Sequence, residues 1–346
     1  MSRSPGRRAL FALIAVAMGW LLLEGAAFIA LRTLPAPSLP ARPDLPTEAP
    51  DWMVSAKEAL QRRFFRPDEH VLWTLQPGHR EPPREPWVWG REDLVINDNG
   101  HRSPPMAAAK APGVRRVLVL GGSHPFGMWV GNSEVYSAVL SDRLNAAQPG
   151  RWEVMNACAP GHTSFQGRQY LAHHAAAFEP DYVVFDLGNN DDLALAADWA
   201  APDHVVYSVR RARKVANRAA ASAVYRLLQR LLQPAVDAAT TDSVRVPPAQ
   251  RDANFKAIEA QSRQDGYELL YVSQVDVGAP DNLGAAECNY RFADHHPLFD
   301  VCGLFEPLGE AAADYFVDPI HANAAGHRLI GEALAKRFEE LGWMKE

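Results

Sequence analysis

The residues that could do chemistry fall in four short stretches. The first, Val119-Leu120-Gly121-Gly122-Ser123-His124-Pro125-Phe126-Gly127, is an apolar run ending in a serine beside glycines. A serine in such a turn, at the carboxyl end of a strand, is exposed at the sheet edge, and its backbone N–H lies where a following helix begins. Ser123 is therefore a candidate nucleophile. The stretch is neither a dinucleotide loop, which needs a properly spaced third glycine, nor a phosphate loop, because Met128 follows Gly127 where Gly-Lys-Ser/Thr would be required. A nucleophilic serine needs a base, an orienting carboxylate and oxyanion donors. Asp318-Pro319-Ile320-His321-Ala322-Asn323 offers acid and base together. With Pro319 at the first position of a helical turn, Asp318 and His321 would project from one face. Taken alone, that stretch reads more readily as a capping aspartate beside a surface histidine. Two further loops, Asn156-Ala157-Cys158-Ala159-Pro160-Gly161-His162-Thr163-Ser164 and Asp186-Leu187-Gly188-Asn189-Asn190-Asp191, each hold a possible oxyanion donor: the Gly161 N–H and the Asn190 side-chain amide.

Positioning four loops requires a scaffold, and the hydrophobic pattern describes one. Val117–Leu120, Trp152–Met155, Tyr182–Leu187 and Leu269–Val272 read as buried strands, while Tyr136, Leu140 and Leu144, and later Ile330, Leu334, Phe338 and Leu341, keep helical spacing. Strands alternating with helices imply a parallel sheet covered on both faces, with functional loops at the carboxyl ends of its strands. The chain of 346 residues has a net charge of −6, 47% hydrophobic and 22% charged residues, which suits a globular protein and not a basic nucleic-acid binder. Three cysteines without a CxxC pair exclude a disulfide scaffold and a zinc ribbon. Cys288 and Cys302 could pair in an oxidising compartment. Cys158 reads as a small buried hydrophobe. His173-His174 and His295-His296 do not by themselves fix three converging ligands, so no metal is expected.

The flanking organisation is read as a tail at 1–8 carrying Arg3, Arg7 and Arg8, a transmembrane helix at 9–31 interrupted by Glu24, and a Pro-rich linker at 32–51. Arginines on the short side predict that the tail stays cytoplasmic and that everything after Leu31 is extracytoplasmic, in a bacterial periplasm or at the cell surface. Residues 52–112 read as an accessory strand-rich segment with a hairpin at Leu94-Val95-Ile96-Asn97-Asp98-Asn99-Gly100. Within the main domain, 113–346, an insert at about 195–240 contains the basic amphipathic stretch Val209–Gln233: Arg210, Arg211, Arg213, Lys214, Arg218, Arg226 and Arg230 without an acid, beside Leu227, Leu228, Leu231 and Leu232. It is an ordinary solvated helix face, a lid, or a surface for anionic lipid.

Together the blocks resemble the SGNH/GDSL hydrolase superfamily, with Gly121-Gly122-Ser123 and Gly127, Gly161, Gly188-x-Asn190-Asp191 and Asp318-x-x-His321 in family order. The similarity covers about residues 114–346, and Asn97–Arg102 resembles the segment preceding the domain in membrane-anchored bacterial members. The resemblance implies a flavodoxin-like α/β three-layer sandwich with a central parallel sheet. It also implies a Ser123–His321–Asp318 triad and an oxyanion hole of the Ser123 and Gly161 N–H groups and the Asn190 amide, with no cofactor. Gly122 departs from the Gly-Asp-Ser block and leaves the support of that turn to be found elsewhere. The expected substrate is an acylated small molecule, glycan or lipid, with short O-acyl esters of envelope glycans first. A lysophospholipid or thioester, acyl transfer to a glycan, and a silent envelope scaffold are the alternatives.

Overall fold

The computed structural model describes residues 5–33, 64–83, 92–107, 109–193, 202–204, 206–208, 223–224, 227, 244–279, 282–289 and 297–345. The chain forms two compact units, one of Met1–Glu48, Leu195–Ala201 and Val205–Ser243, the other of Ala49–Ala194, Pro202–His204 and Val244–Glu346.

The first unit contains helix α1, Pro5–Thr33. Its 29 residues, at about 1.5 Å each, run about 43 Å. Val16, Trp20, Leu21, Leu22, Leu23 and Ile29 lie exposed on it, so it is not an ordinary amphipathic helix with one apolar stripe. Among the described residues no helix is long and apolar enough to cross a membrane. Glu24, the one acid of the apolar run, has partners: its carboxylate accepts from the backbone N–H groups of Ala223 and Val224. Of the basic stretch 209–233, the described Ala223, Val224 and Leu227 are helical; the remainder lies outside the described residues.

The second unit begins with two small antiparallel ribbons. β1 (Phe65–Asp68) pairs with β2 (Leu72–Leu75), and β3 (Arg80–Glu81) with β4 (Leu94–Val95). The hairpin expected after Leu94 does not form. Asn97–Gly100 does turn, with Gly100 N–H donating to the Asn97 carbonyl. No strand follows, because Arg102 leaves to donate its backbone N–H to Asn156, and β4 finds its partner upstream instead.

The main sheet is built from β5 (Arg115–Gly121), β6 (Trp152–Asn156), β7 (Tyr182–Asp186), β8 (Glu268–Val272) and β11 (Leu298–Phe299), after an antiparallel pair β9 (Gln274–Ala279) and β10 (Asn282–Asn289). Its order is β11-β8-β7-β5-β6 and all pairs are parallel. This is a doubly wound α/β sheet in which the first strand lies between the second and the third. Alternation along β5 sends Val117 and Val119 to one face and Leu118 and Leu120 to the other. On the first face they meet helices α2 (Tyr136–Ala147) and α5 (Ala324–Glu340), through Tyr136, Leu140, Leu144, Ile330, Leu334 and Phe338. On the second they meet α3 (Ser164–His173) and α4 (Pro248–Asp265), through Tyr170, Leu171, Phe255 and Ile258. The result is a three-layer sandwich whose crevice opens where the chain reverses direction between β5 and β7. Cys288 and Cys302 form a disulfide with a Cα–Cα distance of 5.4 Å, and Cys158 is free and buried.

Candidate active site

β5 ends at Gly121, and Ser123 opens a single helical turn, Ser123–Phe126. Close approach dictates the glycine before it: a Cβ on Gly122 would lie 2.8 Å from Asn190 Nδ2. The turn after it is supported by Arg102, which is fully buried. It donates from Nη1 to the carbonyls of Phe126 (3.0 Å) and Gly127 (2.6 Å), from Nη2 to Val130 (2.6 Å) and from Nε to Asn132 Oδ1 (2.9 Å). Burial pushes this guanidinium down to about 9, against the opposing pull of Glu92 and Glu134, so it remains cationic at neutral pH.

The partner of Ser123 arrives from the other end of the chain. Ser123 Oγ lies 2.8 Å from His321 Nε2, and His321 Nδ1 lies 2.7 Å from Asp318 Oδ2 and 2.9 Å from Oδ1. The helical turn expected at Pro319 is absent; residues 317–320 bend without forming a helix. Asp318 Oδ1 accepts the backbone N–H groups of Ile320 (3.1 Å) and His321 (2.9 Å), a side-chain-to-backbone turn that outcompetes the helical one. The loop is closed by the bridge between Phe316 and Ala322, and α5 starts only after Asn323, which caps it by accepting from Ala325 and Gly326. Trp129, invisible as a site residue in the sequence, donates its indole N–H to Asp318 Oδ2 at 3.0 Å. Burial would raise the Asp318 carboxyl, but the His321 hydrogen bond and charge and the two backbone donors outweigh it and hold the group below its ordinary value. An ionised Asp318 accepts a hydrogen bond from His321 Nδ1–H, and in that tautomer Nε2 faces the serine hydroxyl as an acceptor.

Asn190, on the loop after β7, donates from Nδ2 to the His162 carbonyl at 2.8 Å. A carboxamide nitrogen carries two hydrogens, so one remains for a reacting oxygen. Ser123, His162 and Asn190 line a common cleft of about 250 Å³ including its open mouth; Gly161 stands one residue outside the lining. Gly161 adopts φ +81°, a backbone region open to glycine and costly for other residues. Its loop is locked by His162, whose ring Nε2 lies 3.0 Å from the Trp73 carbonyl. Burial takes His162 down to about 4; the Trp73 contact works against this and the Arg245 charge with it. The ring is neutral at pH 7 and donates from Nε2. His124, beside the nucleophile, stacks on the buried His327 ring, with centroids 5.5 Å apart, and contacts Asp186 Oδ2 at 3.5 Å. Among the described residues no group of His, Cys, Asp and Glu could hold a metal ion; His295 and His296 lie outside them.

No family model matches this chain, and no curated protein matches it. Among solved structures it is similar to TesA, at 19% identity over 66% of this chain and 99% of that one, with a TM-score of 0.41. It is likewise similar to the acetyl xylan esterase AlAXEase (13% identity, 64% and 98% coverage, TM-score 0.39) and to the esterase EstA from Pseudoalteromonas (14% identity, 67% and 100% coverage, TM-score 0.38). The chemistry rests on the side-chain geometry above.

Proposed function

We propose that this chain is a serine ester hydrolase working through an acyl-enzyme, with the continuous Ser123–His321–Asp318 chain of contacts, 2.8 and 2.7 Å long, as the observation that carries the reading. Ser123 Oγ attacks the ester carbonyl as its proton passes to His321 Nε2, and Asp318 stabilises the imidazolium. The oxyanion takes hydrogen bonds from the Ser123 and Gly161 N–H groups and the Asn190 amide. His321 returns its proton to the departing alcohol, leaving Ser123 acylated. Water, deprotonated by the same nitrogen, then attacks the acyl carbon and releases acid and free serine.

The cleft favours a short acyl group. Its lining includes the polar side chains of His124, Asp186, Asn189 and Gln274 beside the apolar Pro125, Leu187 and Ile320. That composition suits an acetyl or similar ester of a hydroxyl-rich alcohol, such as a glycan, better than a long lipid chain. The apolar exposure of α1 and the arginines at its amino-terminal end, Arg3, Arg7 and Arg8, support a membrane anchor with the catalytic part extracytoplasmic. Lysophospholipid hydrolysis is the second reading, favoured by the basic stretch 209–233. Fluorophosphonate labelling of Ser123, and turnover of p-nitrophenyl esters of increasing chain length, test both. We expect labelling that is lost in Ser123→Ala, and turnover that falls steeply beyond short acyl chains. An unlabelled, inactive wild type would end the hydrolase reading, and a preference for long chains would put the lipid first.

A further inference from the structure

We propose that Trp73 and Arg245 are positioning residues that aim the Gly161 N–H at the reacting oxygen; this rests on the serine-hydrolase reading above. Two peptide planes meet at the Gly161 Cα, and each is held by a side chain distant in sequence. In the plane before it, the Pro160 carbonyl accepts the Trp73 indole N–H at 3.3 Å. A trans peptide is planar, with carbonyl and following N–H directed oppositely, so holding that carbonyl fixes the Gly161 N–H to point away from the indole. In the plane after it, the Gly161 carbonyl accepts from Arg245 Nη1 at 2.6 Å. With both planes fixed, φ and ψ at Gly161 have no remaining freedom, although glycine is the residue that would otherwise wander most.

The two holders are themselves braced. The Arg245 guanidinium lies 5.6 Å from the centre of the Trp73 ring, and its Nη2 donates to Asp203 Oδ2 (3.1 Å) and Gln166 Oε1 (3.3 Å). Asp203 is fully buried and also accepts from Thr163 Oγ1 at 2.7 Å, while its backbone N–H donates to the Arg245 carbonyl at 2.9 Å. Removing the cation would strand that carboxylate, so Arg245 is bound to its place. Asp203 and Arg245 stand before and after the basic stretch 209–233 in the sequence. A donor aimed at charge that develops only in the transition state acts on kcat rather than on substrate binding.

Trp73→Phe keeps the ring and deletes the N–H; Arg245→Lys keeps a cation for Asp203 and deletes the fork. In the full-length protein, kcat and KM for p-nitrophenyl acetate, the rate of fluorophosphonate labelling of Ser123, and thermal melts would be measured for both. We expect kcat and labelling rate to fall about 10- to 100-fold in each variant, with KM within about twofold and a cooperative melt retained. A raised KM with unchanged kcat, or a folded fraction that labels at the wild-type rate, would overturn the proposal while leaving the hydrolase reading standing. Should Arg245→Lys fail to fold, Trp73→Phe decides alone. A wild type that is not labelled removes both.

Discussion

The loop that presents the base and the loop that presents the oxyanion donor are built in opposite ways. Asp318 holds His321 through contacts three residues long, to the ring and to its backbone N–H, so the pair is nearly self-assembled. The Gly161 loop borrows its rigidity from Trp73, Asn190 and Arg245, each reached by closing a long stretch of chain. A locally closed device fails through its own residues, whereas a device braced from afar fails also through residues such as Trp73 and Arg245, which never meet the substrate.

The contrast is broken most severely at the base loop. Asp318→Asn should lower kcat by about 10⁴-fold, the cost of presenting the wrong imidazole tautomer in a related triad. Because an asparagine oxygen can still accept from Ile320 and His321, the loop should keep its shape. Turnover together with a melt at the wild-type temperature would confirm this; a strongly lowered melt would show that the loop is less self-sufficient than its contacts suggest. Asn190→Ala should cost about 10²- to 10³-fold in kcat with little change in KM, through loss of a donor and of the brace on the His162 carbonyl. A change confined to KM would make Asn190 a substrate-binding residue instead. Trp129→Phe removes a side-chain donor from outside the loop that reaches Asp318, and we expect about a tenfold loss in kcat, the lower end of the range for one hydrogen bond to a charged group.

The smallest expected effect is on stability and sharpens the picture of the oxyanion loop. His101 and His162 are both taken to about 4 in the folded protein, chiefly by burial, from an ordinary value of 6.5. Between those values the unfolded chain binds the extra protons, so their contribution is fully present above pH 6.5 and is lost as pH falls toward 4. Asp191 acts in the opposite sense: burial raises it to about 6, so its contribution grows as pH falls through that value. His327 is lowered by burial in the same sense as the two histidines and Asp276 is raised like Asp191, so the histidines outnumber the carboxyls and the melting temperature should drop between pH 6.5 and 4.5. His162→Gln, which can still donate to the Trp73 carbonyl, should flatten that slope. An unchanged slope would mean that His162 protonates without disturbing the fold.

The same division decides what could be read in the sequence. Ser123, Asp318 and His321 stand in stretches where residue type and short spacing carry the signal, and the strand and helix patterns around Val117, Tyr136 and Ile330 follow from period alone. Trp129, Trp73, Asp203 and Arg245 have no local signature, and Arg102 closes the recognisable Asn97–Arg102 stretch without a hint of its partners, because each acts through backbone or side-chain groups that only the folded chain brings near. Asp203 and Arg245 might have drawn notice as lone charges at the edges of the basic insert, but nothing in the pattern pairs them. At Pro319 and after Leu94 the reverse occurred. Local propensity pointed to a helical turn and a hairpin, and an aspartate accepting backbone N–H groups and an arginine drawn into the interior redirected the chain.

Arg102 changes what counts as the smallest transplantable enzyme. Its guanidinium serves three carbonyls around the nucleophile turn, yet it enters ahead of β5, from a segment that the sequence presents as a preface. Trp73 enters from the same preface. A chain cut at residue 113 would keep every residue of the triad and still lose the groups that satisfy the Phe126, Gly127, Val130 and Pro160 carbonyls. Grafting this chemistry onto another protein therefore means carrying residues 64–107 along with it, so the borrowed part is the brace as much as the blade.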